Sequence, residues 1–363
     1  MAEGDGAVTA GLVCAHHHLY SALARGMPAP PATPTDFLSI LQQIWWRLDA
    51  ALDLDLIEWS AKLGALEALE CGTTAIIDHH ESPNAIEGSL DVIAAACAEV
   101  GVRALLCYGV TDRWRDDGRL DLDAIRNGTA LMTDGARRGL AENERYLRAG
   151  GRGHVGVHAA FTCTDATLEA AAGLAAELGT GVHVHLHEGP DDAGAADRLA
   201  PLSTDRWLLA HAVHLPDGHP IRGTITHQPR SNLNNAVGYA RPARFAGAHR
   251  VVLGTDGIGA DMLEEFRIAY VVHRSDDVTT GPDPAWGWLQ TGAELVAEVA
   301  GDRVTWSYAP MEPWHLAFTP GVRARRVEID GAVVLEDGRA TRVDAEEIRA
   351  KAAEAAARLF ARL

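Results

Sequence analysis

The sequence predicts an α/β fold: a (β/α)8 TIM-type barrel with a reduced sixth helix, a small C-terminal β appendage (an incomplete sandwich) and a terminal helix. Three observations lead there. Strand-like and helix-like segments alternate through most of the 363 residues, as a parallel sheet with covering helices requires. Several of the apolar strand segments end in histidine or an acidic residue, and such barrels carry their chemistry at the C-terminal ends of their strands. After about residue 300 the pattern changes to a meander with two Asp-Gly turns, Asp330-Gly331 and Asp337-Gly338, both strong hairpin signals.

In order, the first strand is read over residues 12–18, where Leu12-Val13-Cys14-Ala15 runs into His16, His17 and His18. The Pro-rich residues 28–34 read as a loop above it. A long helical stretch is expected over 34–70, with Leu38, Leu41, Ile44, Trp45 and Leu48 at helical spacing. The second strand is read at 74–79, a helix at 86–100 and the third strand at 102–110. Residues 124–147 read as one amphipathic helix. Strands four to eight fall at 155–161, 182–187, 207–211, 224–227 and 251–255. An Ala-rich helix over 166–178 is stopped by Gly179, and an eighth helix is read at 262–273. Only residues 216–222 separate the sixth and seventh strands, short of the roughly dozen that a crossover needs, so that helix is expected to be reduced or lost. In the terminal helix Asp344 and Glu347 make a capping-box pattern. Ile348, Ala352, Ala355, Leu359 and Leu363 form its apolar stripe. The expected division is a catalytic barrel over 10–300, a residual meander over 301–343 and the helix over 344–363.

Composition narrows the partners. Hydrophobic residues make up 47% and charged residues 23%, which supports a large core. The net charge of −18 argues against a nucleic-acid or anionic-membrane surface. The five cysteines are odd in number and scattered, with no Cys-x-x-Cys. Together with an N-terminus that lacks a basic and apolar leader, this predicts a reduced, cytoplasmic setting. The expected partner is a small molecule, with a homo-oligomer as the other candidate association.

Along a strand, His16 and His18 share one face and His17 takes the other. With 17 histidines in the chain, chance supplies about one such pair, so the spacing needs context. The fifth strand supplies it with His183-Val-His185-Leu-His187-Glu188. Strict alternation puts Glu188 opposite His185, so this strand must bend or end just after His185. The sixth strand delivers His211 at its end, whereas His214 reads as a satisfied core histidine. The eighth runs Val251-Val-Leu-Gly254-Thr255-Asp256. His16, His18, His185 and Asp256 make an N3O set suited to one divalent metal, Zn favoured and Fe the alternative. The only lysines are Lys62 and Lys351, neither near a strand C-terminus. A bridging carbamylated lysine is therefore not expected, and one metal with an open position for water is.

The stretches at 11–27 (GLVCAHHHLYSALARGM), 71–82 (CGTTAIIDHHES), 158–164 (HAAFTCT), 183–188, 210–215, 227–238 (HQPRSNLNNAVG) and 254–274 (GTDGIGADMLEEFRIAYVVHR) occur in strand order. On them the chain resembles the amidohydrolase superfamily in its cytosine deaminase, guanine deaminase and chlorohydrolase branch. Within that branch it is most similar to the SsnA-like aminohydrolases of selenium metabolism. The resemblance implies metal ligation by His16, His18, His185 and Asp256. It implies that Glu188 shuttles a proton to a ring nitrogen, that His211 orients the attacking water and that Asp256 accepts its proton. Tyr20, His158, His227 and Asn232 are implied at the substrate pocket, and His79 and His80 are read as structural. The implied reaction is hydrolytic deamination of an amino-substituted N-heterocycle of purine, pterin, pyrimidine or triazine type. Alternatives are a cyclic amide or C–Cl hydrolase on the same site, and a non-catalytic metal- or partner-binding remnant linked to selenium-enzyme maturation. Relatives carry an N-terminal β-rich segment that pairs with the C-terminal strands. Its apparent loss here predicts exposed edges on the meander.

Overall fold

The computed structural model describes residues 6–363. Its strands begin with β1 (Val8–Thr9) and β2 (Leu12–His18), followed by β3 (Thr73–His80), β4 (Arg103–Tyr108) and β5 (Val155–Ala159). Then come β6 (Val182–Leu186), β7 (Leu208–His211), β8 (Thr224–His227), β9 (Val251–Leu253) and the short β10 (Asp256–Gly257). β2, β3 and β4 form one parallel ladder and β5 to β9 a second. Parallel bridges from Leu106 to Gly153 and from Val110 to Val157 link β4 to β5. β10 lies parallel to β2, with Asp256 opposite His17 and Gly257 opposite His18. Strands β2 to β9 are the eight expected from the sequence, in the same order.

Among the longer helices, the departures from expectation fall in three places. The stretch 34–70 is broken. Helices Phe37–Ile40 and Trp46–Ala51 flank a widened π turn, Leu41–Trp45, and a new helix runs Leu54–Glu70. The break is made by Asp53, whose side chain accepts from Leu56 N at 2.8 Å and starts a fresh helix as its N-cap. Residues 124–147 likewise divide into Leu122–Arg126 and Asp134–Arg148. Gly128, at φ +71°, terminates the first, and the Thr133 side chain caps the second. A helix at Asp283–Thr291 has no counterpart in the sequence reading. No helix joins β7 to β8 among the described residues, as the short connection requires.

The C-terminal strands are β11 (Arg303–Trp306), β12 (Ala324–Ile329), β13 (Ala332–Glu336) and β14 (Arg339–Ala340), in sheet order β1-β11-β12-β13-β14. The expectation of an uncovered edge is corrected at β11. Val8 pairs with Thr305 and Thr9 with Val304, and the buried Trp306 donates its indole N–H to Thr9 Oγ1 at 2.8 Å. The terminal helix Ala345–Phe360 lies along Leu54–Glu70, tied by Arg349 to Glu70 and by Arg358 to Asp55. Among the described residues no helix is long and apolar enough to cross a membrane.

Candidate metal centre and active site

β2 presents its histidines as alternation dictates, and His16 and His18 meet His185 from β6. Nε2 of His18 lies 3.2 Å from Nε2 of His185 and 2.9 Å from Oδ1 of Asp256. Nε2 of His16 is 3.5 Å from the same Oδ1. His211, from β7, joins the group: one ligand atom each from His16, His185, His211 and Asp256 lies within 4.8 Å of the others.

The strand ends are shaped for this convergence. β6 stops at Leu186 and His187 takes φ +47°, the bend that Glu188 needs to come round to the side of His185. His211 and Asp256 also have positive φ, +73° and +59°, a region that His and Asp enter more readily than most residues. Gly254 has no room for a side chain: a Cβ there would stand 2.7 Å from the backbone N and O of His16. That close approach brings Asp256 beside β2.

The proton pattern shows what the cluster fits. Nδ1 of His18 donates to the His79 carbonyl at 2.5 Å and Nδ1 of His185 to the His158 carbonyl at 2.7 Å. Both rings therefore turn Nε2 toward each other. Nδ1 of His16 pairs with Nε2 of His183 at 2.8 Å, leaving Nε2 of His16 buried without a hydrogen-bond partner. Burial holds His16 and His185 well below the usual imidazole range, so both are unprotonated at neutral pH. Burial pushes the Asp256 carboxyl up, but the His16 and His18 rings that face it hold it well below the carboxylate range. At His18, against the effect of burial, Asp256 in turn pushes the imidazole up to about 9. The orphaned Nε2 of His16 and the unprotonated His185 leave lone pairs beside an ionised carboxylate, where a cation can replace the proton on His18. The residues present thus fit a divalent metal, with second partners orienting each ring.

A cleft opens onto the cluster, lined by His18, His185 and Asp256 at one end and by Phe37, Leu41, Trp45 and Phe161 elsewhere. Glu188 lines it as well. Its Oε2 is 3.4 Å from Nε2 of His211, and Asn235 Nδ2 donates to its Oε1 at 3.4 Å. Burial pushes its carboxyl up to about 7, opposed by His211 and reinforced by the charge of Asp256.

Tyr20 and His158 line the cleft. The other two expected substrate residues, His227 and Asn232, are not among the side chains that line it. Asn232 is buried and accepts from Nδ1 of His211 at 2.8 Å, so it orients His211. His227 is fully buried and packs against the rings of Tyr239 and Trp288. His214 is exposed rather than in the core, because the chain turns outward through the positive-φ residues His211 and Ala212. His79 Nε2 donates to the Val157 carbonyl at 3.0 Å and His80 Nε2 pairs with Ser82 Oγ at 2.8 Å.

Sequence reasoning missed Ser231, which donates to Oδ2 of Asp256, and Arg230, which donates to the Thr255 and Gly257 carbonyls at 2.7 and 3.0 Å. Both flank Asn232, so the same motif held their signal. It also missed Asp49, Glu81 and Arg113, which no local pattern connects.

A parallel α/β sheet with a histidine and carboxylate cluster at its strand C-termini defines the metal-dependent hydrolase class of TIM-type barrels. The sequence pattern of the amidohydrolase family matches residues 7–286, and the chain belongs to that family. A 5'-deoxyadenosine deaminase of Methanopyrus kandleri is 26% identical over 96% of this chain and 86% of its own. A 5-methylthioadenosine/S-adenosylhomocysteine deaminase of Desulforudis audaxviator is 28% identical over 97% and 86%. Among solved structures, an adenosine deaminase from Xanthomonas campestris with bound zinc has a TM-score of 0.78 at 23% identity, covering 98% of this chain and 86% of that one. Atrazine chlorohydrolase from Arthrobacter aurescens, complexed with zinc, scores 0.74 at 21% identity over 96% and 88%. These structures share the fold.

Proposed function

We propose that the chain is a metal-dependent aminohydrolase that deaminates an amino-substituted N-heterocycle, with purine nucleosides of adenosine type as the leading class. The observation that carries this reading is the placement of Glu188, its carboxyl raised to about 7, in the same cleft as the His18, His185 and Asp256 cluster. A metal-binding module has no use for such a carboxyl. The names of the curated relatives support the substrate class.

His16, His18, His185 and Asp256 would hold one divalent metal, zinc in our reading and iron as the alternative, which when bound supplies the Lewis acidity that makes water nucleophilic near neutral pH. Glu188 takes a proton from that water and delivers it to the ring nitrogen beside the amino-bearing carbon, a role suited to a carboxyl near neutrality. His211, held by Asn232, orients the water, and Asp256 accepts its second proton. The proton held by Asp256 passes to the amino group, which leaves as ammonia, while the water oxygen takes its place on the carbon and the ring nitrogen keeps the proton from Glu188. Tyr20 and His158 bound the substrate. Catalysis belongs to residues 10–300, with the strands of 301–343 and the helix of 344–363 packed on them. The five cysteines, all unpaired, support a reducing cytoplasm.

The test joins metal analysis to an ammonia-release assay on adenosine-type amines. We expect about one zinc or iron per chain and turnover that falls by about 10²–10⁴ in Glu188→Gln while metal content is kept. Bound metal without ammonia from any heterocyclic amine would overturn the reading.

A further inference from the structure

Two groups of polar side chains border the cleft beyond the residues already given roles. Asp49 and Glu81 share Nη2 of the buried Arg113, which ties the helix Trp46–Ala51 to the end of β3. The second group stands on the short helix Pro229–Asn234 and its C-cap, Asn235. Ser231 and Asn235 are four residues apart, so their side chains share one face of that turn. The face points inward: Ser231 is buried and Asn235 half-buried, whereas Leu233 and Asn234, on the other side, are exposed. Asn235 lines the cleft together with Glu188 and Asp256.

This pair joins the two carboxylates of the proposed reaction. Nδ2 of Asn235 donates to Oε1 of Glu188 at 3.4 Å and to Oγ of Ser231 at 3.3 Å. Ser231 in turn donates its hydroxyl to Oδ2 of Asp256. The direction of these bonds follows from the groups involved. A hydroxyl has a single hydrogen, and that of Ser231 is committed to the ionised Asp256, so Ser231 accepts from Asn235. An amide nitrogen has two hydrogens, and here each meets an acceptor. Each carboxylate thereby has one oxygen tied to the pair and one left over. Oδ1 of Asp256 faces His16 and His18 at 3.5 and 2.9 Å, and Oε2 of Glu188 faces His211 at 3.4 Å. The main-chain N–H of Asn235 donates to the Ser231 carbonyl at 2.8 Å, which fixes the two side chains relative to each other.

We propose that Ser231 and Asn235 are positioning residues of the active site, which together hold Glu188 and Asp256, the two groups that move protons in the reaction above, in one register. Ser231 leaves Asp256 a single oxygen for the cluster, and Asn235 keeps the second oxygen of Glu188 turned toward His211. Glu188 follows β6 and Asp256 begins β10, so the pair aligns groups that the chain delivers separately. The proposal rests on the site assignment above and adds to it the turn that keeps its two halves aligned.

The test joins zinc affinity, by chelator competition, to steady-state ammonia release from adenosine on the zinc-loaded chain. Ser231→Ala should weaken zinc about 10–100-fold, the usual effect of losing the outer partner of a ligand. Ser231→Thr, which keeps the hydroxyl, should recover most of that loss. Asn235→Leu should hold zinc nearly as tightly as the wild type and lower kcat about 10–100-fold with KM little changed. Asn235→Asp, of the same size but without the amide donor, should show the same loss and serves if Asn235→Leu misfolds. The double variant Ser231→Ala/Asn235→Leu, saturated with zinc, should lose little more in kcat than the worse single, because residues that act as a unit are not additive. Unchanged zinc affinity in Ser231→Ala, no recovery in Ser231→Thr, wild-type kcat in a folded Asn235 variant, or losses that multiply in the double variant would overturn the proposal. Tight zinc without ammonia from the wild type would overturn the deaminase reading instead, and the zinc affinities of the two Ser231 variants would then decide the proposal alone.

Discussion

At the scale of single residues, the proposed site rests on groups that do not line the cleft. Asn232 gives His211 its orientation through one 2.8 Å hydrogen bond. Asn232→Ala should lower kcat about 10–100-fold, the usual effect of losing an outer partner, with KM little changed in steady-state kinetics. Gly254 is a second case. Gly254→Ala would drive a methyl into the His16 backbone at 2.7 Å, where neither neighbour is a flexible side chain. Such overpacking costs about 1–3 kcal/mol. Here it also displaces Asp256 from the cluster, so both the melting temperature and the bound metal per chain should fall. Neither residue advertises its role alone. Gly254 is legible once Asp256 is suspected, and the hydrogen bond from His211 to Asn232 joins two motifs that lie apart in the sequence.

At the scale of elements, the loop after β6 carries both Glu188 and Asp192. Asp192 is buried, and its Oδ2 accepts from His187 N at 2.6 Å. Burial pushes its carboxyl up to about 8, against the lowering by the His187 and Phe161 amides. An unfolded aspartate titrates near 3.9. Between those values the folded chain holds a proton that the unfolded chain has released, so this group makes stability fall as pH rises from about 4 to about 8. The slope is at most about 1.4 kcal/mol per pH unit. Asp192→Asn should flatten it in denaturant unfolding measured at several pH values. The helices teach a related point. Hydrophobic spacing over 34–70 is helical throughout, yet the Asp53 cap and the π turn Leu41–Trp45 divide it, and the turn brings Leu41 and Trp45 into the cleft wall. Caps and turns compete locally with periodicity, and periodicity alone does not reveal which prevails.

At the scale of the whole molecule, metal and fold should be coupled. His16 and His18 come from β2, His185 from β6, and Asp256 begins β10. A cation shared among them ties the start of the chain to its middle and to the end of the parallel strands. Ligand binding to the native state alone stabilises it by about 2.7 kcal/mol at a hundredfold excess over Kd. Chelation should therefore lower the melting temperature by roughly 5 °C or more, and added zinc should restore it. The sheet formed by β1 and β11 to β14 acts at the same scale, since Val8–Thr9 and Arg303–Trp306 are distant in sequence and paired in space.

The sequence by itself determined the order of the strands and which side chains stand at their ends. It did so because strand alternation and apolar runs are local, and because His-x-His, His185 with Glu188, and Gly-Thr-Asp each lie within a few residues. Only the tertiary structure decided which of those side chains meet. It turned His227 into the core and His214 to the surface, and it added His183 behind His16. It also assembled Asp49, Glu81 and Arg113, each from a different part of the chain, around one cleft. The physical reason is that burial and charge pairing depend on distances across the fold, and no spacing along the chain encodes them.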